Sequence, residues 1–301
     1  MKAEWIDLVD PSIDELFAAL PALDPDATEV LTAPGRDGRD ARPFLESHGA
    51  YLIGVLLAPW HDDDANTFRY REVAYVATAS KLVTVRKPDP AGVVAPMSPD
   101  ATGPSEARPV GRLLHRLVND VAEQYLDLVD ALYGEIDELE DAIESLSSKE
   151  IRERLSNLRH EALHARKNVT ATRTAVRRIV DGRLDIGDGE GALFPHDVER
   201  SFADTYDTLV RTVEELDVAR DLLSSVRDFL QAKVSENQNE VVKILTVVAS
   251  LVLVPTLITG FYGQNFASAF GDRYWSMSVS VALIVVTTVA QLAVFRWRRW
   301  I

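Results

Sequence analysis

The sequence predicts an N-terminal α/β domain, then long helices, then a C-terminal two-helix transmembrane hairpin. Three observations carry that reading. Short β-branched runs alternate with turn residues through the first 87 residues. Between about 118 and 234, apolar side chains recur at three- and four-residue spacing, the period of a helix with one buried face. Near the end, two runs of 20 and 22 residues carry no charge. Composition narrows the class further. At 301 residues the chain can bury a full core, as one large domain or two modest ones. It has no cysteine, which excludes a disulfide scaffold, thiolate-held zinc or iron–sulfur clusters, and a cysteine nucleophile. Its 47 acidic and 32 basic side chains leave a formal net charge of −15, so nucleic acid is not an expected partner.

Trp5–Val9 reads as a short strand, and Asp10-Pro11-Ser12 then caps an amphipathic helix over Ile13–Leu20. The opening MKAEWIDLVD lacks an apolar stretch of signal-peptide length, so no secretory signal is expected. Tyr51–Ala58 reads as a buried strand. Val73–Thr78 and Lys81–Arg86 read as a hairpin, two β-branched runs across a tight turn. Prolines at 88, 90, 96, 99, 104 and 109 mark a linker. Val118, Val121, Tyr125, Leu128 and Leu132 begin the stripe of a long helix with a coiled-coil-like seam. Ile136, Leu139, Ile143 and Leu146 continue it. A second helix covers about 150–180 and stops near Asp181-Gly182. Gly187, Gly189 and Gly191 mark a loop that is too short and wrongly placed for a nucleotide-binding fingerprint. From about Pro195 a third stripe runs through Phe202, Leu209, Val213, Leu216, Leu223 and Leu230 with no breaker before the first uncharged run. Unbroken to Tyr262, that helix would be about 100 Å long, a lever able to carry a cytoplasmic event into a membrane.

Charge is segregated along these helices. Residues 120–150 hold eleven acids against Lys149, and residues 151–180 hold eight Lys or Arg against Glu153 and Glu161. Two successive helices of opposite charge are expected to pack antiparallel with complementary faces, leaving some acidity for cations. His160 and His164 stand at i, i+4, a spacing that can bind zinc. With no third ligand set by spacing, they read as solvated helix histidines. Asp62-Asp63-Asp64 reads as a turn.

The uncharged runs are Ile244–Gly263 and Tyr274–Phe295. Each suffices for a hydrocarbon core of about 30 Å at about 1.5 Å per residue. One such run could be the core helix of a soluble protein. Two, separated only by Gln264–Arg273, read as a hairpin. Lys243 precedes the first, and Arg296, Arg298 and Arg299 follow the second, so the positive-inside rule makes both termini cytoplasmic. Trp275, Trp297 and Trp300 fall at span ends, where indole rings favour the interface. The expected domains are therefore 1–109 (α/β and linker), 110–243 (long helices) and 244–301 (hairpin and basic tail).

The first span ends Gly260-Phe261-Tyr262-Gly263-Gln264-Asn265-Phe266. This resembles the CorA-type divalent-cation transporters, a two-helix family marked by Gly-Met-Asn after Tyr at the end of the penultimate span. Here the tripeptide is Gly263-Gln264-Asn265. The resemblance extends to Asn239–Thr246, to Pro255-Thr256-Leu257, to Trp5-Ile6-Asp7-Leu8 and to Leu82–Arg86, and so covers essentially the whole chain. It implies an α/β/α sandwich for the N-terminal domain and a homopentameric funnel in the cell inner membrane. The first span of each subunit would line a central pore. The cargo implied is Mg2+, with Co2+ or Ni2+ as surrogates, and no resident cofactor. A gating ring is implied at Leu245 and Leu253, polar rings at Thr256 and Asn239, and a regulatory cation site at Asp228. Two departures leave the ion open. Gln264 stands where Met is usual, and the loop 266–275 lacks the acidic Pro-Glu stretch, with Asp272 offset by Arg273. A ZntB-like zinc transporter, proton-coupled or not, is the alternative, and a non-conducting membrane-anchored sensor or scaffold the second.

The physics of such a mouth stands beside the resemblance. Mg2+ dehydrates reluctantly, so it is best selected with its inner waters retained. A ring of Asn265 carbonyls can bond those waters without holding the ion too tightly to leave. Gly263 lets the backbone approach an axis, and the Gln264 amide could bond the same waters. Helical spacing back from Asn265 passes Thr256, Leu253, Ala249, Leu245, Val242 and Asn239, a stripe of small, polar and leucine residues suited to a pore with hydrophobic constrictions. Ordinary helix–helix packing competes for the same positions. An enzyme is not expected: no nucleophile–base pair or phosphate-cradling loop appears, and the six histidines form no triad. Residues 244–301 carry a net +3 and the remaining 243 residues −18, an acidic body that would draw cations toward a basic-edged hairpin.

Overall fold

The structure, a computed structural model, describes residues 3–33, 42–62, 67–88, 94, 109–184, 186, 193–263 and 277–301. The chain divides into two compact units, Met1–Arg227 and Asp228–Ile301.

The first unit is built on five strands: β1 (Glu4–Val9), β2 (Phe44–Ser47), β3 (Leu52–Asp62), β4 (Thr67–Ala77) and β5 (Lys81–Arg86). Their order is β1-β5-β4-β3-β2, with β1 parallel to β5 and every other pair antiparallel. The expected hairpin joins β4 to β5 in the register Ala77↔Leu82 and Val73↔Arg86. Thr78 closes it, its N–H donating to the Lys81 carbonyl at 2.8 Å and its Oγ1 accepting from the Lys81 N–H at 3.0 Å. Leu82 to Val85 are fully buried, which is why β5 reads as a continuous apolar run.

β3 and β4 run further than the sequence reading, which ended one at Ala58 and began the other at Val73. Their far halves pair only with each other, Leu57↔Glu72 to Asp62↔Thr67. Phe68, Arg69, Tyr70 and Arg71 alternate as a strand should, and Glu72 breaks the pattern before Val73. Asp63 and Asp64 lie outside the described residues. Gly54, opposite Tyr75, is required by close approach: a Cβ would sit 2.4 Å from the Tyr75 hydroxyl oxygen.

Two short helices precede β2. In α1 (Ile13–Ala19) the expected cap is a full capping box: the Glu15 N–H donates to Ser12 Oγ at 3.3 Å, and the Ser12 N–H to Glu15 Oε2 at 2.9 Å. The sequence reading passed over α2 (Pro25–Thr32), although Asp24 at its N-cap and Pro25 at its first position are start signals. The Ala27 N–H donates to Asp24 Oδ1 at 2.7 Å, the Tyr51 hydroxyl donates to Oδ2 at 2.6 Å, and His48 Nδ1 lies 2.5 Å from Oδ2. The backbone bond from Ala27, followed by that from Tyr51, lowers the Asp24 pKa to about 2.

Three long helices complete the unit. α3 (Val110–Asp141) buries one stripe, with Leu113, Leu117, Tyr125, Leu132 and Leu139 inside. The Tyr125 hydroxyl donates to the Leu57 carbonyl at 2.7 Å, tying α3 to β3. The stripe does not reach Leu146, which is 37% exposed, because α3 ends at Asp141 and a single 3-10 turn, Ala142–Glu144, bends the chain away. α4 (Ser148–Val180) starts on a second capping box, Ser147 with Glu150. α5 (His196–Gly263) is one helix of 68 residues, the uninterrupted third helix that the absence of breakers predicted.

Within the first unit α5 is bound to its neighbours by specific polar contacts. Arg112 pairs with Asp197, the Tyr133 hydroxyl donates to the Glu215 carbonyl at 3.0 Å, and Arg166 Nε meets Asp217 Oδ1 at 2.7 Å. His115 Nε2 lies 3.0 Å from the Ser201 carbonyl and 3.1 Å from Thr205 Oγ1, and burial holds its imidazole below the ordinary pKa.

Candidate functional site

The candidate ion pathway lies on α5 within the second unit, where α5 is joined by α6 (Met277–Trp297). The uncharged run of α5 ends at Gly263, the last residue of the helix. α6 continues two residues beyond the uncharged run, because Arg296 and Trp297 remain helical.

One side of α5 forms the seam of this hairpin. Lys243 Nζ donates to the Arg299 carbonyl at 3.0 Å, and Gln291 Nε2 donates to the Ser250 carbonyl at 3.3 Å. Val247 is 5% exposed, and Leu251, Val254, Ile258 and Tyr262 are half-buried. At about 100° per residue these positions share one side of the helix. The sequence reading missed both polar contacts, although a glutamine within an apolar span is itself a signal, since an amide in hydrocarbon needs a partner. Gln291 Oε1 is buried with no hydrogen-bond partner among the described residues.

The predicted pore stripe falls on the opposite side. Val242, Leu245, Ala249, Leu253 and Thr256 are all exposed, Leu245 at 65% and Leu253 at 68%. Asn239 is exposed as well but drifts toward the edge of the stripe, since 3.6 residues per turn do not return it to the same angle. Thr256 Oγ1 donates to the Val252 carbonyl at 2.7 Å. Its proton is therefore spent inside the helix, and the oxygen is left with lone pairs as an acceptor. Waters held by a cation turn their hydrogens outward, so an acceptor is what such waters require. Pro255, one residue earlier, has no N–H to give the Leu251 carbonyl. Gly263 has open space around it. Gln264 and Asn265, the remaining residues of the mouth, lie outside the described residues.

Elsewhere the candidate ligands do not converge. Among the described residues no group of three or more His, Asp or Glu could hold a metal ion. Asp228 is an exposed carboxylate at the start of the second unit. His160 Nδ1 bonds the Ser156 carbonyl of its own helix at 2.7 Å. The complementary faces of α3 and α4 meet where Arg154 reaches Glu135 at 2.8 Å and Glu138 at 3.6 Å. Glu123, Asp127, Asp130, Asp137 and Asp141 stand on the exposed side of α3, so the surface left to solvent is acidic.

Two uncharged helical runs that expose apolar side chains away from their seam define a membrane protein. The chain matches the CorA-like Mg2+ transporter protein family over residues 2–299, and it belongs to that family. It is 24% identical to the cobalt/magnesium transport protein CorA of Methanocaldococcus jannaschii, over 99% of this chain and 91% of that protein. The complete structure of the CorA magnesium transporter from the same organism superposes with a TM-score of 0.79 at 21% identity, covering 99% of this chain and 91% of the other. The ZntB cytoplasmic domain from Vibrio parahaemolyticus gives 0.58 at 11% identity, covering 77% and 88%. The likeness to the complete structure carries the α/β body, the long helices and the C-terminal apolar helix as one shared fold.

Proposed function

We propose that this chain forms a homopentameric divalent-cation transporter of the inner membrane, with both termini cytoplasmic. Its cargo is Mg2+, with Co2+ and Ni2+ as surrogates. The observation that carries this reading is the division of α5 into two sides. One side is used by α6; the other is uncharged, lies outside the hairpin seam and presents Thr256 as an acceptor one turn beyond Leu253. Five copies around an axis would turn that stripe into rings. Leu245 and Leu253 would form constrictions that close by dewetting, and Asn265 would bond the waters of the arriving ion. Membrane potential drives the cation inward. Occupancy of acidic sites, Asp228 among them, would hold the gate closed when cytoplasmic cation is abundant.

Proteoliposome uptake tests this directly. Mg2+ uptake by the wild type should fall to background in Asn265→Ala while the oligomer elutes unchanged. Equal uptake by the variant would remove the selectivity ring. The offset of Asp272 by Arg273 favours one second reading, a ZntB-like zinc transporter, because little external charge remains to concentrate Mg2+. Zinc uptake without Mg2+ uptake, changed by a pH gradient, would establish it.

A further inference from the structure

The cytoplasmic end of the hairpin is a folded corner. The Arg299 N–H donates to the Arg296 carbonyl at 3.1 Å, and the Trp300 N–H reaches back to the Phe295 carbonyl at 2.9 Å. Arg299 itself adopts the left-handed conformation, φ 56°, a position usually filled by glycine at a helix C-terminus. The turn lays Trp300 flat on Phe295, ring centroids 5.9 Å apart and planes 10° from parallel. Lys243 then bonds the Arg299 carbonyl. Lys243, Arg296, Arg298 and Arg299 are thereby gathered at one fixed end of the two helices.

The acid nearest to these cations along the chain is Glu240, three residues before Lys243. No acid occurs in residues 241–263 or 277–301, and none of the three arginines has an ion pair among the described residues. All three are exposed, and Trp297 between them is 82% exposed. Guanidinium groups match phosphate oxygens two at a time, and an exposed indole at a span end belongs at headgroup level. Along α6 from this corner, Val289 and Val285 present bare apolar surface, 60% and 55% exposed, on which an acyl chain could lie.

We propose that this corner is a binding site for an anionic phospholipid, with the phosphodiester held by Arg296, Arg298 and Arg299 and the acyl chains lying along α6. A zwitterionic lipid offers the same phosphate, but its ammonium would meet four cations. A free phosphate ion lacks the chains. The proposal requires that the hairpin span a membrane and is independent of which ion, if any, is transported.

Its test reads lipid directly. The full-length chain in detergent is mixed with phosphatidylglycerol or phosphatidylcholine, and retained lipid is counted by native mass spectrometry. The wild type should retain phosphatidylglycerol in preference. Combined Arg296→Gln, Arg298→Gln and Arg299→Gln should weaken retention by roughly a hundredfold, three charges each contributing about fivefold. Arg299→Gly keeps the left-handed turn and relieves its strain, so it should still fold, yet lose about fivefold. Equal retention of the two lipids, or undiminished retention by both variants, would overturn the site. Displacement of the lipid by millimolar inorganic phosphate would overturn it in favour of a soluble anion.

Discussion

The two parts of α5 follow opposite rules of burial. In the first unit its apolar stripe is covered by the chain itself: Phe202 and Leu209 are fully buried, and the buried hydroxyls Thr205 and Thr212 are hydrogen-bonded. In the second unit Leu245, Leu253 and Leu257 are 65–70% exposed, and no element among the described residues covers them. A helix that is apolar on every side is stable only where its surroundings are apolar too. Exposed leucine therefore carries different information in the two units. In the first, single exposures such as Leu146 and Leu163 are ordinary surface; in the second, a continuous exposed apolar surface marks where lipid or further copies of the chain must lie.

Substitutions sharpen this contrast. The largest effect falls where the chain supplies its own core. Leu132→Ala, at a fully buried position of α3, should cost about 2–5 kcal/mol, read as denaturant unfolding of the first unit's tertiary signal in the full chain. A loss below 1 kcal/mol, on the order of a surface change, would mean that α3 is not held as described.

Next comes Gly111→Ala. A Cβ there would stand 2.0 Å from the Leu193 carbonyl oxygen, and backbone cannot move aside as a flexible side chain can. A loss of about 1–3 kcal/mol is expected. Unchanged stability would show that the 193–194 segment does not cross α3 so closely.

Asp24 provides a pH-dependent term. Its pKa is lowered from 3.8 to about 2 by bonds made only in the folded chain. Its stabilising share is therefore complete above the unfolded value and disappears as pH falls from about 4 toward 2. Asp24→Asn keeps a side-chain cap but removes this titration, so its acid unfolding curve should be flatter across that window. Superimposable acid limbs would discount the cluster with Tyr51 and His48.

The smallest effect belongs to the exposed leucines. Leu257→Ala, 70% exposed, should change the stability of the chain by less than about 0.5 kcal/mol. A loss comparable to that of Leu132→Ala would mean that Leu257 is covered by another copy of the chain rather than by lipid.

Elements with strong periodicity were legible in the sequence. α3, α4, α5, β5 and both uncharged runs follow from spacing alone, because each has a face, or in the spans a whole circumference, of one chemical kind. β2 and α2 were not: four and eight residues are too few for a period to show, and only the Asp24-Pro25 start signal pointed to α2. The outer end of β3 was hidden by Pro59, a residue that ordinarily ends a strand, and that of β4 by Glu72, which interrupts the alternation. In the candidate site, the six stripe residues followed from counting back along a helix. Their orientation away from α6 did not, because no spacing rule says which side of a span its neighbour will take.

The amino-acid sequence by itself determined the class of this protein. Net charge, the two uncharged runs and the Gly263-Gln264-Asn265 tripeptide depend on local composition, which hydrocarbon and water sort without reference to the rest of the chain. Only the tertiary structure decided the seam of the hairpin, the close approach at Gly111, the Asp24 cluster and the basic corner at Arg299. Each of these depends on groups distant in sequence meeting within hydrogen-bonding or van der Waals distance, and such meetings are set by packing rather than by any period along the chain.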